Sequence, residues 1–122
     1  MIEYTVKVDV NGNRGWYLNG KLHREDGPAI EYANGSRSLW VNGERHREDG
    51  PAIEWGDGGR SWYLNGKLHR EDGPAIERSN GDRSWWVDGE RLTEAEFNAR
   101  HQPFDGKVVK IYGKKYYKLM EV

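Results

Sequence analysis

The stretch WYLNGKLHREDGPAIEYANGSRS, residues 16–38, returns as LWVNGERHREDGPAIEWGDGGRS over 39–61 and as WYLNGKLHREDGPAIERSNGDRS over 62–84. Each unit is 23 residues long and abuts the next without a gap. A fourth start, WWVDGER at 85–91, then diverges, and a partial unit precedes the first, because VNGNRG at 10–15 aligns with ANGSRS at 33–38. Self-similarity at a fixed short period marks a repeat architecture, in which each unit buries apolar surface against its neighbours.

Turn dipeptides set the rhythm. Within 1–92, Asn-Gly or Asp-Gly pairs begin at 11, 19, 26, 34, 42, 49, 57, 65, 72, 80 and 88. Both pairs favour positive φ and are strong short-range hairpin signals. Gaps of seven or eight residues leave no room for a full helix, so the units read as all-β. AIEYA-NG-SRSLWV reads as one hairpin, and NGERHREDGP (42–51) as the connection to the next. Hairpins are expected near 4–18, 29–41, 52–64 and 75–87. Pro28, Pro51 and Pro74 lack an N–H and suit strand starts or edges. In the first strand, Tyr4, Val6, Val8 and Val10 alternate with Thr5, Lys7 and Asp9.

The chain divides into a β-hairpin repeat array over 1–92 (units 16–38, 39–61, 62–84 and a partial 85–92) and a C-terminal cap over 93–122. Thr93-Glu94-Ala95-Glu96 has capping-box form, which predicts a short helix over about 94–101 anchored by Phe97 and stopped by Pro103. GKVVKIYGKKYYKLMEV (106–122) reads as a last hairpin turning near Tyr112-Gly113.

Composition narrows the function. Against 19 Lys+Arg stand 20 Asp+Glu, a net charge of −1, which makes double-stranded nucleic acid an unfavourable partner. With no Cys, disulfide scaffolds, thiolate zinc sites and thiol nucleophiles are excluded. No apolar run is long enough to span a membrane, and the start MIEYTVKVDV lacks a secretory pattern, so a cytoplasmic location is expected. Mean hydropathy is −1.02, yet the chain holds 6 Trp, 7 Tyr and 16 Gly. Polar, aromatic and Gly-rich together suggest short strands, tight turns and a thin core built from large rings.

Alternation of side chains along a strand puts Trp16, Leu39, Trp62 and Trp85 on one face with Leu18, Val41, Leu64 and Val87, the expected core. Tyr17, Trp40, Tyr63 and Trp86 then point the other way. That column reads either as a recognition stripe or as a second half-core, with the rings packed on Ile30, Ile53 and Ile76 or covered by the loops. If open, it is an exposed patch that must meet something. The HRED tetrads suggest metal, but equivalent His residues two strands apart lie roughly 10 Å from each other, beyond the reach of one zinc bonded at about 2 Å. No metal site and no cofactor are expected. In the economical reading, Asp26, Asp49 and Asp72 cap the Gly-Pro turns while Arg24, Arg47 and Arg70 pair with carboxylates. The same arginines are the candidate charged binding residues. Glu31, Glu54 and Glu77 form a ladder, but nothing marks one of them as a catalytic acid. No catalytic residue is assigned and the chain reads as a non-enzyme. Lys107, Lys110, Lys114, Lys115 and Lys118, interleaved with Tyr112, Tyr116 and Tyr117, read as a single-strand nucleic-acid surface or as a Lys-defended edge. The repeat breaks at 32/55/78 (Tyr, Trp, Arg), 22/45/68 (Leu, Arg, Leu) and 33/56/79 (Ala, Gly, Ser), positions where unit-specific contacts can be encoded.

The string N-G-x-x-H-x-x-x-G-P-A followed by a second N-G, at this period, resembles the MORN repeat over roughly 1–91. It departs where Arg24, Arg47 and Arg70 replace the Gly after His, and its loop is two residues longer. The resemblance implies an elongated single-layer antiparallel sheet used for binding or scaffolding, with no catalytic residues to transfer. This HREDGPA variant is similar to small repeat proteins of phages and bacteria. The leading expectation is a module that binds a protein partner, in a phage setting an accessory protein that inhibits a host factor. The alternatives are a sponge that sequesters a nucleotide-like ligand at an oligomer interface, and a peripheral lipid-binding scaffold. Unpaired sheet edges also admit a homo-oligomer.

Overall fold

The computed structural model describes residues 2–100, 108–112 and 115–118. β1 (Thr5–Val8) pairs with β2 (Arg14–Leu18), and β3 (Lys21–Leu22) folds back on the end of β2. The next unit lays down β4 (Ile30–Glu31) and β5 (Arg37–Ser38), then the ribbon β6 (Trp40–Val41) with β7 (Glu44–Arg45). β8 (Ile53–Glu54), β9 (Arg60–Ser61), β10 (Tyr63–Leu64) and β11 (Lys67–Leu68) repeat that set. β12 (Ile76–Glu77), β13 (Arg83–Val87) and β14 (Glu90–Leu92) complete the array; α1 (Glu94–Arg100) and the hairpin β15 (Val108–Tyr112) with β16 (Lys115–Lys118) follow. The main sheet is antiparallel and open, in the order β1-β2-β4-β5-β8-β9-β12-β13-β14. The described residues thus form an all-β repeat array with a short helix after it and no closed barrel.

Two kinds of turn alternate. Asn34-Gly35 forms a wide hairpin end: Gly35 N–H donates to Tyr32 O (3.0 Å), Tyr32 N–H donates to Ser36 O (2.8 Å), and only the glycine has positive φ. This is a type I turn with a glycine bulge. At Asn42-Gly43 both residues have positive φ (50° and 83°), as a two-residue type I′ hairpin requires. The segment 42–51 therefore begins as a hairpin arm rather than as a plain connection. Trp40 and Val41 leave the main sheet to pair with Arg45 and Glu44, so the expected hairpin over 29–41 is split at Leu39. The same split recurs at Trp62.

Register across the main sheet sets two rows. One reads Gly15, Ile30, Ser38, Ile53, Ser61, Ile76, Ser84, alternating small and branched residues. The adjacent row reads Arg14, Glu31, Arg37, Glu54, Arg60, Glu77, Arg83, alternating in charge at every step. Opposite charges directly across from each other favour pairing and like charges oppose it, so this row helps lock the register.

The core differs from the expected one. Trp16, Leu39, Trp62, Trp85, Leu18, Val41 and Leu64 are half-buried, and Val87 alone of that set is buried. The deepest repeated side chains are Ala29, Ala52 and Ala75, each 0% exposed, with Ser36, Ser38, Ser61 and Ile53 also buried. Trp16, Leu39 and Trp62 N–H groups donate to Ala29, Ala52 and Ala75 O at 2.7–2.8 Å, which carries the ladder one residue beyond Ile30, Ile53 and Ile76.

At the end of the array the capping box forms as expected. Glu96 N–H donates to Thr93 Oγ1 (3.0 Å) and Thr93 N–H to Glu96 Oε1 (2.8 Å). Phe97 is buried, and α1 lies against β13 and β14. The Pro103 stop and the turn at Tyr112-Gly113 lie outside the described residues, as do the side chains of the C-terminal lysines and tyrosines.

Candidate binding faces

The two faces of the sheet are unequal. One is overlaid by the HRED loops. Arg24 Cζ sits 4.1 Å from the Trp16 ring centroid and Arg70 Cζ 3.8 Å from that of Trp62, a cation–π geometry. Arg47 occupies the same place above a unit whose ring position is Leu39. Each guanidinium is further tied down. Nε of Arg24, Arg47 and Arg70 donates to Asp26, Asp49 and Asp72 Oδ1 at 3.0, 2.9 and 2.7 Å. One terminal nitrogen of each donates to Pro28, Pro51 and Pro74 O at 3.2, 3.2 and 3.0 Å. The same nitrogen faces Glu31, Glu54 or Glu77 at 3.7, 3.2 and 3.8 Å. The candidate arginines are thus half-buried staples that hold the Asp-Gly-Pro turn against the sheet. Each aspartate receives the arginine two residues before it, the carboxylate pairing expected for Arg24, Arg47 and Arg70. Hydrogen bonding and charge from Arg47 hold the Asp49 carboxyl below its ordinary range. The Glu ladder is likewise occupied, since Arg37 and Arg60 reach Glu54 and Glu77 at 2.9 Å.

The histidines do a separate job. Nδ1 of His23, His46 and His69 accepts from the N–H of Asn42, Asn65 and Asp88, 19 residues on, at 2.9, 3.0 and 3.0 Å. Each imidazole therefore caps the type I′ turn of the following unit. Tyr4 stacks on His23 with centroids 6.5 Å apart. Among the described residues no group of three or more His, Asp or Glu is arranged to hold a metal.

On the opposite face Tyr17, Trp40, Tyr63 and Trp86 lie as half-buried rings. Trp40 and Trp86 donate from Nε1 to Ser38 and Ser84 Oγ at 2.8 and 2.9 Å, which lays them back along their own strands. Arg45 lies between Trp40 and Tyr63, its Cζ 5.0 and 5.5 Å from the two centroids, and Lys7 Nζ lies 4.7 Å from the Tyr17 centroid. The more open rings are Tyr32 and Trp55, 36% and 47% exposed, from the variable position 32/55/78. A groove of about 560 Å³ runs beside Trp55, lined by Tyr63, Ile76, Arg78 and Asn80. Trp55 and Tyr63 line one groove, so at Trp55 the ring column meets a more exposed ring at one of the breaks in the repeat.

Another break also resolves. Asn13 Oδ1 accepts from Ala33 N–H (2.9 Å), and Ser36 Oγ, one atom shorter in reach, accepts from Gly56 N–H (2.8 Å). A Cβ on Gly56 would run into Asn34 O, so the short serine goes with a residue that has none. In the last unit, where Gly59 offers no side chain, Ser79 Oγ donates to Asp57 Oδ2 (3.1 Å). The variable positions 33/56/79 thus encode how adjacent turns stack.

Comparison with protein-family models, with curated proteins and with solved structures finds no match. No helix among the described residues is long and apolar enough to cross a membrane.

Proposed function

We propose that the chain is a non-enzymatic binding module that engages a protein partner through the ring-bearing face of its repeat sheet. The observation that carries this is the asymmetry of the faces. The arginines of the loop face are held by its own carboxylates and prolyl carbonyls, whereas Tyr32 and Trp55 stand open beside half-buried Trp40 and Tyr63. Exposed Tyr and Trp with a neighbouring Arg are the side chains that dominate protein hot spots. The MORN-like pattern supports the same reading, and a phage accessory role against a host factor is its natural extension. In a pull-down from host lysate, one protein should be retained by the wild type and by the HRED-loop variant Glu48→Ala, whose side chain is exposed, and lost with Trp55→Ala. Equal retention by all three would overturn the assignment.

The groove beside Trp55 favours one second reading, a sponge for a nucleotide-like ligand. A planar base would stack on Trp55 or Tyr63 while Arg78 meets its phosphates. Protein purified without denaturation should then carry excess absorbance near 260 nm that Trp55→Ala abolishes; clean protein excludes it.

A further inference from the structure

The two ends of the sheet are finished differently. At β14 the helix α1 packs alongside, with Phe97 buried. At the other end, among the described residues, β1 pairs on one side only, and all of Thr5–Val8 is exposed. Val6 and Val8 are 46% and 59% exposed, on the same side of the strand as Tyr4.

The direction of the backbone groups follows from the register. Asp9 N–H donates to Asn13 O (3.0 Å), so that pair is the closely bonded kind. Bonded and unbonded pairs alternate along an antiparallel ladder. Lys7 and Thr5, opposite Gly15 and Tyr17, therefore spend their N–H and C=O groups on β2. Those of Val8, Val6 and Tyr4 point off the edge of the sheet. An edge with unspent groups is a template for another strand.

We propose that the edge strand β1 pairs antiparallel with β1 of a second copy of this chain, centred on Thr5, joining two arrays into one continuous sheet. A two-fold edge contact must be self-complementary, and charge selects the register. With Thr5 opposite Thr5, Tyr4 faces Val6 with both sets of outward groups matched, and Glu3 faces Lys7 twice over. Centring on Val6 sets Glu3 against Asp9, and centring on Lys7 sets two lysines against each other. Like charges directly opposite disfavour pairing. In the Thr5 register Tyr4, Val6 and Val8 of both copies form one apolar row on the loop face. This contact uses the edge and leaves the Trp55 face free, so it stands or falls apart from the partner-binding reading.

The chain's lack of cysteine gives a direct test on the full-length protein. The central Thr5 pair is of the unbonded kind, with Cα atoms about 4.5 Å apart, within disulfide reach. Thr5→Cys should form a covalent dimer on mild oxidation, and Val6→Cys and Lys7→Cys, probing the other registers, should not. By sedimentation, the wild type should run at twice the 14.2 kDa chain mass. Glu3→Lys should weaken the dimer by about tenfold or more, as expected for two opposed like pairs. Adding Lys7→Glu to Glu3→Lys should restore it. A wild type that stays at single-chain mass at millimolar concentration overturns the proposal, as does cross-linking at 6 or 7 instead of 5. Failure of the charge swap to restore the dimer, in a variant with wild-type circular dichroism, overturns it as well.

Discussion

At the scale of single residues, this protein uses side chains in place of a core. His69 illustrates it: its Nδ1 takes the Asp88 N–H, a group at a positive-φ turn that no strand partner can reach. His69→Phe keeps the ring and removes the acceptor, so it should cost about 1–3 kcal/mol, the range for stranding a buried donor. Thermal melting reads this directly, and His69→Asn, which keeps a carbonyl oxygen, should recover part of the loss. The arginines obey a similar logic. Arg70→Lys retains charge but loses the planar contact with Trp62 and the fork to Asp72 and Pro74 O, so it should behave more like Arg70→Ala than like the wild type. The sequence displayed these residues three times over but did not disclose their roles. A histidine acting on a turn 19 residues away, or an arginine lying on a ring, leaves no local spacing to read.

At the scale of elements, turns depend on their neighbours. Gly56→Ala should destabilise more than the strain of an ordinary Gly→Ala change, because the methyl meets Asn34 O. Ser36→Asn combined with it recreates the Asn13–Ala33 pairing and should offset part of that loss, a coupling that a double-mutant cycle in denaturant measures. The helix gives a pH signature. Hydrogen bonds from Thr93 depress the Glu96 carboxyl below its ordinary 4.5. A depressed carboxylate contributes fully above its unfolded value and loses that contribution as the pH falls through its lower folded value. Helical ellipticity should therefore hold down to about pH 4.5 and decline below it, with Thr93→Ala lower throughout, at a cost of about 1 kcal/mol. The capping box was legible because its partners sit three residues apart. The type I′ ribbons were not, although Asn42-Gly43 announced a turn, because each arm is only two residues long and pairs away from the main sheet.

At the scale of the whole molecule, the period itself was the legible feature, and it carried the all-β architecture with it. The identity of the buried row was hidden, since large apolar rings in the sequence outrank Ala29, Ala52 and Ala75 on any hydropathy argument. Deleting 39–61 should leave a folded protein, because Ser38 would then lead into Trp62 in the same register and His23 would meet Asn65. Its urea m-value should fall by roughly a fifth, in proportion to chain removed. The alanine-and-serine interior has a thermal corollary. Few apolar side chains are fully buried and the large rings are already half in water, so the heat-capacity increment should lie below the usual ~12–15 cal/mol/K per residue. A smaller increment flattens the stability curve, and calorimetry should find a molecule whose resistance to unfolding changes little between a cold and a warm cell.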